Sequence, residues 1–406
     1  MDVLVIGAGP AGSLVSALLA RRGYRVTVLE RQRFPRFSIG ESLLAHTLQL
    51  ITDAGFLEPV LLGAFQFKNG AVFDRDGRTS IFNFADKSSS GPGHTFQVQR
   101  AEFDDILAKE AMRSGVEIRF GVEITAVDFS GDSPEVTSRA DDGAVEIHRP
   151  RFVFDASGFG RTLPKLLDLH RPSAFPPRAA VFSHVRDNTV AGAFDRQKIR
   201  VGIHPDRHDV WSWLIPFSNG TASVGVVSSI AQHQARKGTL DERFWQAIRE
   251  EPRLAALLSK AELVRPAGEL LGYAATVKSL HGRHFALLGN AAEFLDPIFS
   301  SGVTIAMKSA VLGADVLDRQ LRGESVDWAR EFDDELNYGV DTFRNFVAGW
   351  YDGSLQDVMF FPRQQEKVRR MICSILGGYA WDRSNPYTGP QAGRRLRALA
   401  EICRSS

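Results

Sequence analysis

Apolar residues recur along the chain in two rhythms, a short continuous run and a spacing of three to four. The switches between these rhythms predict the elements. Asp2 to Ile6 (DVLVI) is a β-branched apolar run and predicts a buried strand. In Ser13 to Arg22, Leu14 pairs with Leu18 and Val15 with Leu19, which predicts a helix, and Tyr24 to Leu29 (YRVTVL) returns to a strand. Phe65 to Phe73 and Thr79 to Phe84 alternate as strands, and Phe96 to Gln99 is a strand running into Arg100. Arg100 to Arg113 is helical through Phe103, Ile106, Leu107 and Ala111, and Val116 to Phe120 is again a strand. Val122 to Phe129, Glu135 to Arg139 and Val145 to His148 alternate with polar turns and predict a small antiparallel meander. Phe152 to Asp155 reads as a buried strand.

From Arg178 to Ser229 the period is two throughout, in RAAVFSHV, KIRVGI, DVWSWLIP and TASVGVVSS. Asp241 to Ser259 predicts a helix, His284 to Leu288 another buried parallel strand, and Gly302 to Leu317 a helix with Val303, Met307, Ala310, Ala314 and Leu317 on one face. The tail from Trp328 is helical and rich in aromatics. The pattern predicts an α/β protein in which a Rossmann-like ββα nucleotide-binding domain carries an inserted antiparallel sheet and a helical C-terminal extension. The predicted parts are 1–64, 100–165 and 276–320 for the nucleotide-binding domain, and 65–99 for sheet strands containing Lys68. Residues 166–275 form the substrate domain, and 321–406 the helical region covering the substrate site.

Composition narrows the classes. At 406 residues and 44% hydrophobic the chain can bury a large core. A net charge of +1 gives no basic bias toward nucleic acid or anionic membranes. The first residues already form a strand and lack the layout of a secretory signal, and no apolar run approaches the roughly 20 residues of a membrane helix. A cytoplasmic protein with reduced thiols is the expectation for the two distant cysteines, Cys373 and Cys403, which also lack metal-ligand spacing.

The first thirty residues carry the chemistry. Between two strands, Gly7-Ala8-Gly9-Pro10-Ala11-Gly12 opens a helix, and the second strand ends on Glu30. This is the dinucleotide fingerprint. Gly7 makes the turn, Gly9 lets backbone approach a pyrophosphate, Gly12 lets helix and strand pack, the helix N-terminus attracts phosphate, and the acid accepts from ribose hydroxyls. The ligand is therefore FAD or NAD(P). Further on, Gly40-Glu41-Ser42 reads either as a wall of the cofactor site or as the start of a helix capped by Glu41 or Ser42.

The order of parts resembles the glutathione-reductase-like FAD superfamily: GAGPAG with Glu30, Arg100 opening a helix, FDASG at 154–158 and LLGNAAEFLDP at 287–297. No second glycine fingerprint is apparent, so the expected dinucleotide is FAD. Within that superfamily the chain resembles flavin-dependent halogenases, in their phenol and pyrrole branch. The marks are WSWLIP at 211–216, matching WxWxIP; Phe294 to Gly302, matching FxxPxxSxG; and Lys68, which falls where the family keeps its essential lysine. Singly, each has an ordinary reading: two core tryptophans on one strand face, a surface lysine, a helix start. Together with the fingerprint they point to halogenation.

The resemblance implies that reduced FAD, O2 and chloride or bromide yield hypohalous acid, which passes to Lys68, where an ammonium hydrogen-bonds it or a free amine forms a haloamine, and then to an electron-rich aromatic. It implies FAD contacts from Gly7, Gly9, Ala11, Gly12, Glu30, Ser38, Gly40, Glu41, Ser42, Arg100, Asp155, Gly289, Asn290, Asp296 and Gly302. It also implies halide binding at Ser301 and Gly302, flavin shielding by Trp211, Trp213 and Pro216, and a substrate site lined by Pro297 and Phe299. Tryptophan halogenases carry glutamate where this chain has Phe299. A phenol or pyrrole supplies its own electron donor and does without that base. With no NAD(P)H domain apparent, a separate flavin reductase is the expected partner, with an aromatic substrate that is free or tethered to an acyl carrier protein. An FAD-dependent aromatic monooxygenase, a geranylgeranyl-reductase-like enzyme and a non-catalytic flavin-binding protein are the alternatives.

Overall fold

The computed structural model describes residues 1–405. Its first layer is a six-stranded sheet in the order His281–Gly282, Phe285–Leu287, Phe152–Asp155, Val3–Ile6, Val26–Glu30 and Glu117–Phe120, parallel except for the first pair. Val3–Ile6 is central and wholly buried, as its unbroken apolar run requires. The helices Pro10–Arg21, Arg100–Arg113 and Gly302–Leu321 pack together beside this sheet. The predicted meander forms a separate three-stranded sheet from Val122–Asp128, Glu135–Ala140 and Val145–His148.

The second layer is an eight-stranded sheet dominated by Arg178–Arg186, Thr221–Ser229, Trp211–Pro216 and Lys198–Ile203, joined at one end by Gly70–Arg75 and Arg78–Asn83. Gly70–Arg75 runs parallel to Lys198–Ile203 and brings residues from far upstream into this sheet.

Three predicted segments differ in the structure. Phe65 to Phe73 divides into two strands, and the one containing Lys68 (Gln66–Lys68) leaves the large sheet to pair with Thr95–Gln97. Asp241 to Ser259 breaks into Leu240–Arg249 and Pro252–Leu257, since proline lacks the amide to continue a helix and instead suits a first turn. The helix after Gly40-Glu41-Ser42 begins only at Ala45, with Leu44 at its N-cap and no side-chain cap. Ser42 instead bridges to Gln97, and Glu41 pairs with His184 at 2.8 Å.

The C-terminal helices Glu335–Tyr351, Ser354–Met359, Glu366–Leu376 and Ala392–Ser405 follow, and the first two pack against the strands Gly70–Arg75 and Arg78–Asn83 of the large sheet. Phe299 packs edge-on against Phe346 and Trp350, and Trp350 meets Phe73 of the large sheet. The Cys373 thiol donates to the Asn83 carbonyl and is pushed up to about 12 by burial.

Candidate active site

Between the two sheets lies a cavity enclosing about 1810 Å³ of empty space, its open mouth included. One wall is the fingerprint turn with Gly9, Pro10, Ala11 and Glu30, another the loop Arg36 to Ser42, and a third the segment Gly289, Asn290, Pro297 and Ser300 to Val303. Trp211, Trp213 and Ile215 face it from the large sheet.

The fingerprint glycines divide their work by position. Gly7 takes φ +95°, the left-handed turn that a side chain resists. A Cβ on Gly12 would lie 1.9 Å from the Gly7 carbonyl oxygen, so the helix can sit this close to the strand only with glycine there. A Cβ on Gly9 would meet nothing closer than an Arg36 side-chain nitrogen at 3.5 Å: Gly9 leaves room for a ligand, not for packing. Glu30 accepts from the Ala8 amide at 2.9 Å and the Gln32 amide at 2.8 Å. These bonds hold the acid at the end of its strand, facing the cavity. The geometry and donor set fit FAD: phosphates at the amides of the Pro10–Arg21 helix, ribose hydroxyls at Glu30, and a flat apolar wall of tryptophans for a ring system.

Other expected contacts act one step back from the cavity. Arg100 lines it, but its guanidinium grips Asp104 at 2.7 and 2.9 Å and the Ile39 carbonyl at 2.7 Å, bracing the loop that carries Ser38, Gly40, Glu41 and Ser42. Asp155 is fully buried, accepts from the amides of Ser157 and Leu163, and does not reach the cavity. It shapes the turn Ala156 to Gly160, which does line the wall. Pro216 also lies outside the cavity. With period-two alternation Trp211, Trp213 and Ile215 share the inward face, so Ile215 takes the place expected for the proline. Phe299 points away from the cavity into the C-terminal helices, whereas Pro297 lines it.

Ser301 and Gly302 open the twenty-residue helix Gly302–Leu321 beside the tryptophan wall, with Ser300 held left-handed at φ +55°. The first amides of a helix lack intrahelical acceptors and carry partial positive charge, which suits an anion. Asp296, just upstream, does not line the cavity. Its Oδ1 accepts from the Ile298 amide at 3.0 Å, and its Oδ2 accepts from Tyr273 at 3.0 Å and Tyr351 at 2.8 Å. Burial raises this carboxyl to about 6 despite those donors. Trp211 Nε1 donates to the Tyr351 hydroxyl at 3.0 Å, and the Arg178 guanidinium lies 3.7 Å from the Tyr351 ring centroid. One network thus ties the tryptophan wall, the loop before Ser301 and a C-terminal helix together. Tyr273 and Tyr351 carry no local motif, and nothing in their neighbours along the chain marks them as site residues.

Lys68 is 1% exposed. Its Nζ donates to the Leu43 carbonyl at 2.6 Å and lies 5.3 Å from the centroid of the Phe84 ring. Among the described residues no carboxylate pairs with it, and burial alone lowers it to about 7. A lysine that is buried without a counter-charge costs stability and points to a chemical use. Lys68 sits behind the cavity wall: Ser42 lines the cavity, and Leu43, the next residue, accepts the lysine's bond.

Comparison with known proteins agrees with this geometry. The FAD binding domain family matches residues 1–331. A 1H-pyrrole-2-carbonyl peptidyl-carrier-protein chlorinase of Pseudomonas fluorescens is 29% identical over 433 residues, covering 99% of this chain and 92% of its own. A protein of Cytophaga hutchinsonii described as a flavoprotein/dehydrogenase superposes with TM-score 0.96 at 40% identity, over 100% of this chain and 98% of its own. A flavin-dependent brominase superposes with TM-score 0.85 at 26% identity, over 100% and 99%. A flavin-dependent halogenase of Armillaria mellea is 31% identical over 353 residues, covering 79% of this chain and 68% of its own. This chain belongs to the FAD-binding family and, within it, to the flavin-dependent halogenases, enzymes that use FAD, halide and O2.

Proposed function

We propose that the protein halogenates a phenol or pyrrole ring tethered to a carrier protein, with Lys68 holding the oxidant against the ring and a separate flavin reductase supplying reduced FAD. The carrier-bound pyrrole acted on by the Pseudomonas fluorescens relative supports the substrate class. So does Phe299, which faces away from the flavin cavity toward the C-terminal helices expected to cover the substrate and has no base to offer a poorly activated ring. The observation that carries the reading is Lys68: fully buried, without a counter-charge, and lowered by burial from the usual lysine range to about 7, which brings the free amine within reach.

When bound, reduced FAD supplies the electrons that, with O2, convert halide to hypohalous acid. The amides of Ser301 and Gly302 hold the halide at the helix N-terminus. Trp211, Trp213 and Ile215 wall the cavity and keep the aromatic substrate from the flavin. The ammonium of Lys68 donates to the oxidant oxygen, and its neutral amine accepts from the oxidant O–H. In either state the lysine places the electrophilic halogen toward the ring.

The test is turnover with NADH, FAD, an added flavin reductase and bromide, against free phenols and a carrier-loaded pyrrole, read by mass spectrometry. Paired bromine isotope peaks on the carrier-bound ring are expected. Substrate-dependent NADH oxidation without reductase and without a halogenated product overturns the proposal and favours the dehydrogenase description carried by the Cytophaga hutchinsonii protein.

A further inference from the structure

Three chain segments meet between the flavin cavity and Lys68. Thr95–Gln97 is the middle strand. Gln66–Lys68 pairs with it on one side, with Lys68 opposite Thr95, and Ser42 bridges to Gln97 on the other. The Leu43 amide donates to the Phe96 carbonyl at 3.1 Å and the Val98 amide to the Glu41 carbonyl at 2.7 Å, so Ser42 and Gln97 form a close, non-hydrogen-bonded pair. Residues directly opposite one another in antiparallel strands share a face, and residues two apart along a strand share it as well. Ser42, Gln97, Thr95 and Lys68 therefore lie on one face, while Phe67 and Phe96 take the other.

All four are buried, at 3%, 0%, 0% and 1% exposure. Three of them keep a polar atom with no partner: Ser42 Oγ, Gln97 Oε1 and Thr95 Oγ1. Gln97 is otherwise held by its Nε2, which donates to the Arg196 carbonyl at 3.1 Å. One orphaned buried group is a cost that folds avoid, and three on a single face leading to a lysine call for a ligand. The face begins at Ser42, which lines the flavin cavity, and ends at Lys68.

We propose that Gln97 and Thr95 form a binding site for hypohalous acid, a small neutral molecule with one O–H donor and acceptor lone pairs, and that this site hands the molecule from Ser42 to Lys68. The proposal rests on the reading of Lys68 as the oxidant-holding residue. Gln97 Oε1 accepts the O–H, Thr95 Oγ1 accepts or donates in turn, and Lys68 receives the oxidant at the strand position opposite Thr95. No bond is made or broken along the face. An apolar lining would let the oxidant leave for water, whereas these partners keep it in line.

The test uses Thr95→Val, which keeps the shape and removes the hydroxyl, and Thr95→Ser, which restores it. FAD content and thermal midpoint are measured first; Thr95→Val should bind FAD stoichiometrically and melt no lower than wild type, since it deletes an unpaired group. Turnover then follows with reductase, bromide and a carrier-loaded pyrrole, with a soluble trap for free hypobromous acid. Thr95→Val should lower brominated carrier-bound pyrrole at least tenfold per O2 consumed and raise trapped oxidant by a matching amount, and Thr95→Ser should recover most of the coupling. Gln97→Leu repeats the measurement independently. Wild-type coupling in both Thr95→Val and Gln97→Leu overturns the proposal. If Lys68→Ala also brominates at the wild-type yield, the reading of the lysine fails as well; if Lys68→Ala is inactive while both variants couple normally, only the Gln97 and Thr95 site falls.

Discussion

The flavin cavity and the Lys68 face are neighbours built on opposite principles. The cavity is lined by contiguous motifs, opens to solvent, and keeps its glycines and backbone amides ready for a large ligand. The Lys68 face is closed, stands on a two-stranded fragment outside the main sheets, and buries a lysine with unsatisfied oxygens beside it. Binding a dinucleotide needs shape and amides, which local sequence provides. Holding a diffusible oxidant needs desolvated polar groups. Those are expensive, and the rest of the fold must stabilise them.

The comparison is broken most sharply at the lysine. Lys68→Ala should keep stoichiometric FAD and lose halogenated product by roughly 10³-fold or more, the scale of lost positioning and proton control. Flavin absorbance and product chromatography measure the two independently. Lys68→Arg should fail as well, because its planar guanidinium stays protonated. Equal loss of FAD and product would make the two regions a single site.

The same residue sharpens the contrast in stability. The folded pKa of Lys68 is lowered from 10.5 to about 7. Below pH 7 both folded and unfolded lysine are charged and the burial penalty is complete. As pH rises from 7 toward 10.5 the folded state sheds its proton first, and the penalty fades. Lys68→Met should therefore be more stable than wild type by on the order of 3–5 kcal/mol at pH 6.5, with the gain shrinking toward pH 10. Denaturant melts across that range would show it; a pH-independent gain would place the lysine's cost elsewhere.

In the cavity the effects are smaller and steric. Gly12→Ala drives a methyl into the Gly7 carbonyl and should lose FAD and about 1–3 kcal/mol of stability. Gly9→Ala, facing open space, should melt as wild type, and Gly9→Val should fold but purify colourless. If Gly9→Ala were the more destabilised of the two alanine variants, the packing and ligand roles assigned to these glycines would be reversed.

The smallest effect lies at the seam between the regions. Tyr351→Phe removes one of two hydroxyl donors to Asp296 and the acceptor of Trp211 Nε1, and should cost about 0.5–1.5 kcal/mol at neutral pH, since Asp296 keeps the Tyr273 hydroxyl and the Ile298 amide. Asp296 is raised from 3.8 to about 6, so its ionisation erodes stability as pH climbs through that interval. The variant should extend the erosion above pH 6, which melts at pH 5 and 7 would resolve.

Chain order alone was enough for the fingerprint strand-turn-helix-strand unit, the meander, the WSWLIP strand and the helix after Ser301, because each is encoded by local periodicity and by glycines whose backbone demands are intrinsic. Lys68 was legible only through its place among the halogenase-like motifs; as an isolated strand lysine it reads as solvated. Tertiary structure decided the rest. It detached the Lys68 strand from the large sheet and replaced Pro216 with Ile215 in the tryptophan wall. It turned Phe299 into the C-terminal helices, moved Asp155 and Asp296 one step back from the cavity, and recruited Tyr273, Tyr351, Thr95 and Gln97. Periodicity along a chain assigns a side chain to one face of its own element. Which element will cover that face, and whether it brings a partner for a buried polar atom, is settled by pairings between residues tens to hundreds of positions apart, as with Ser42 and Gln97 or Tyr351 and Trp211.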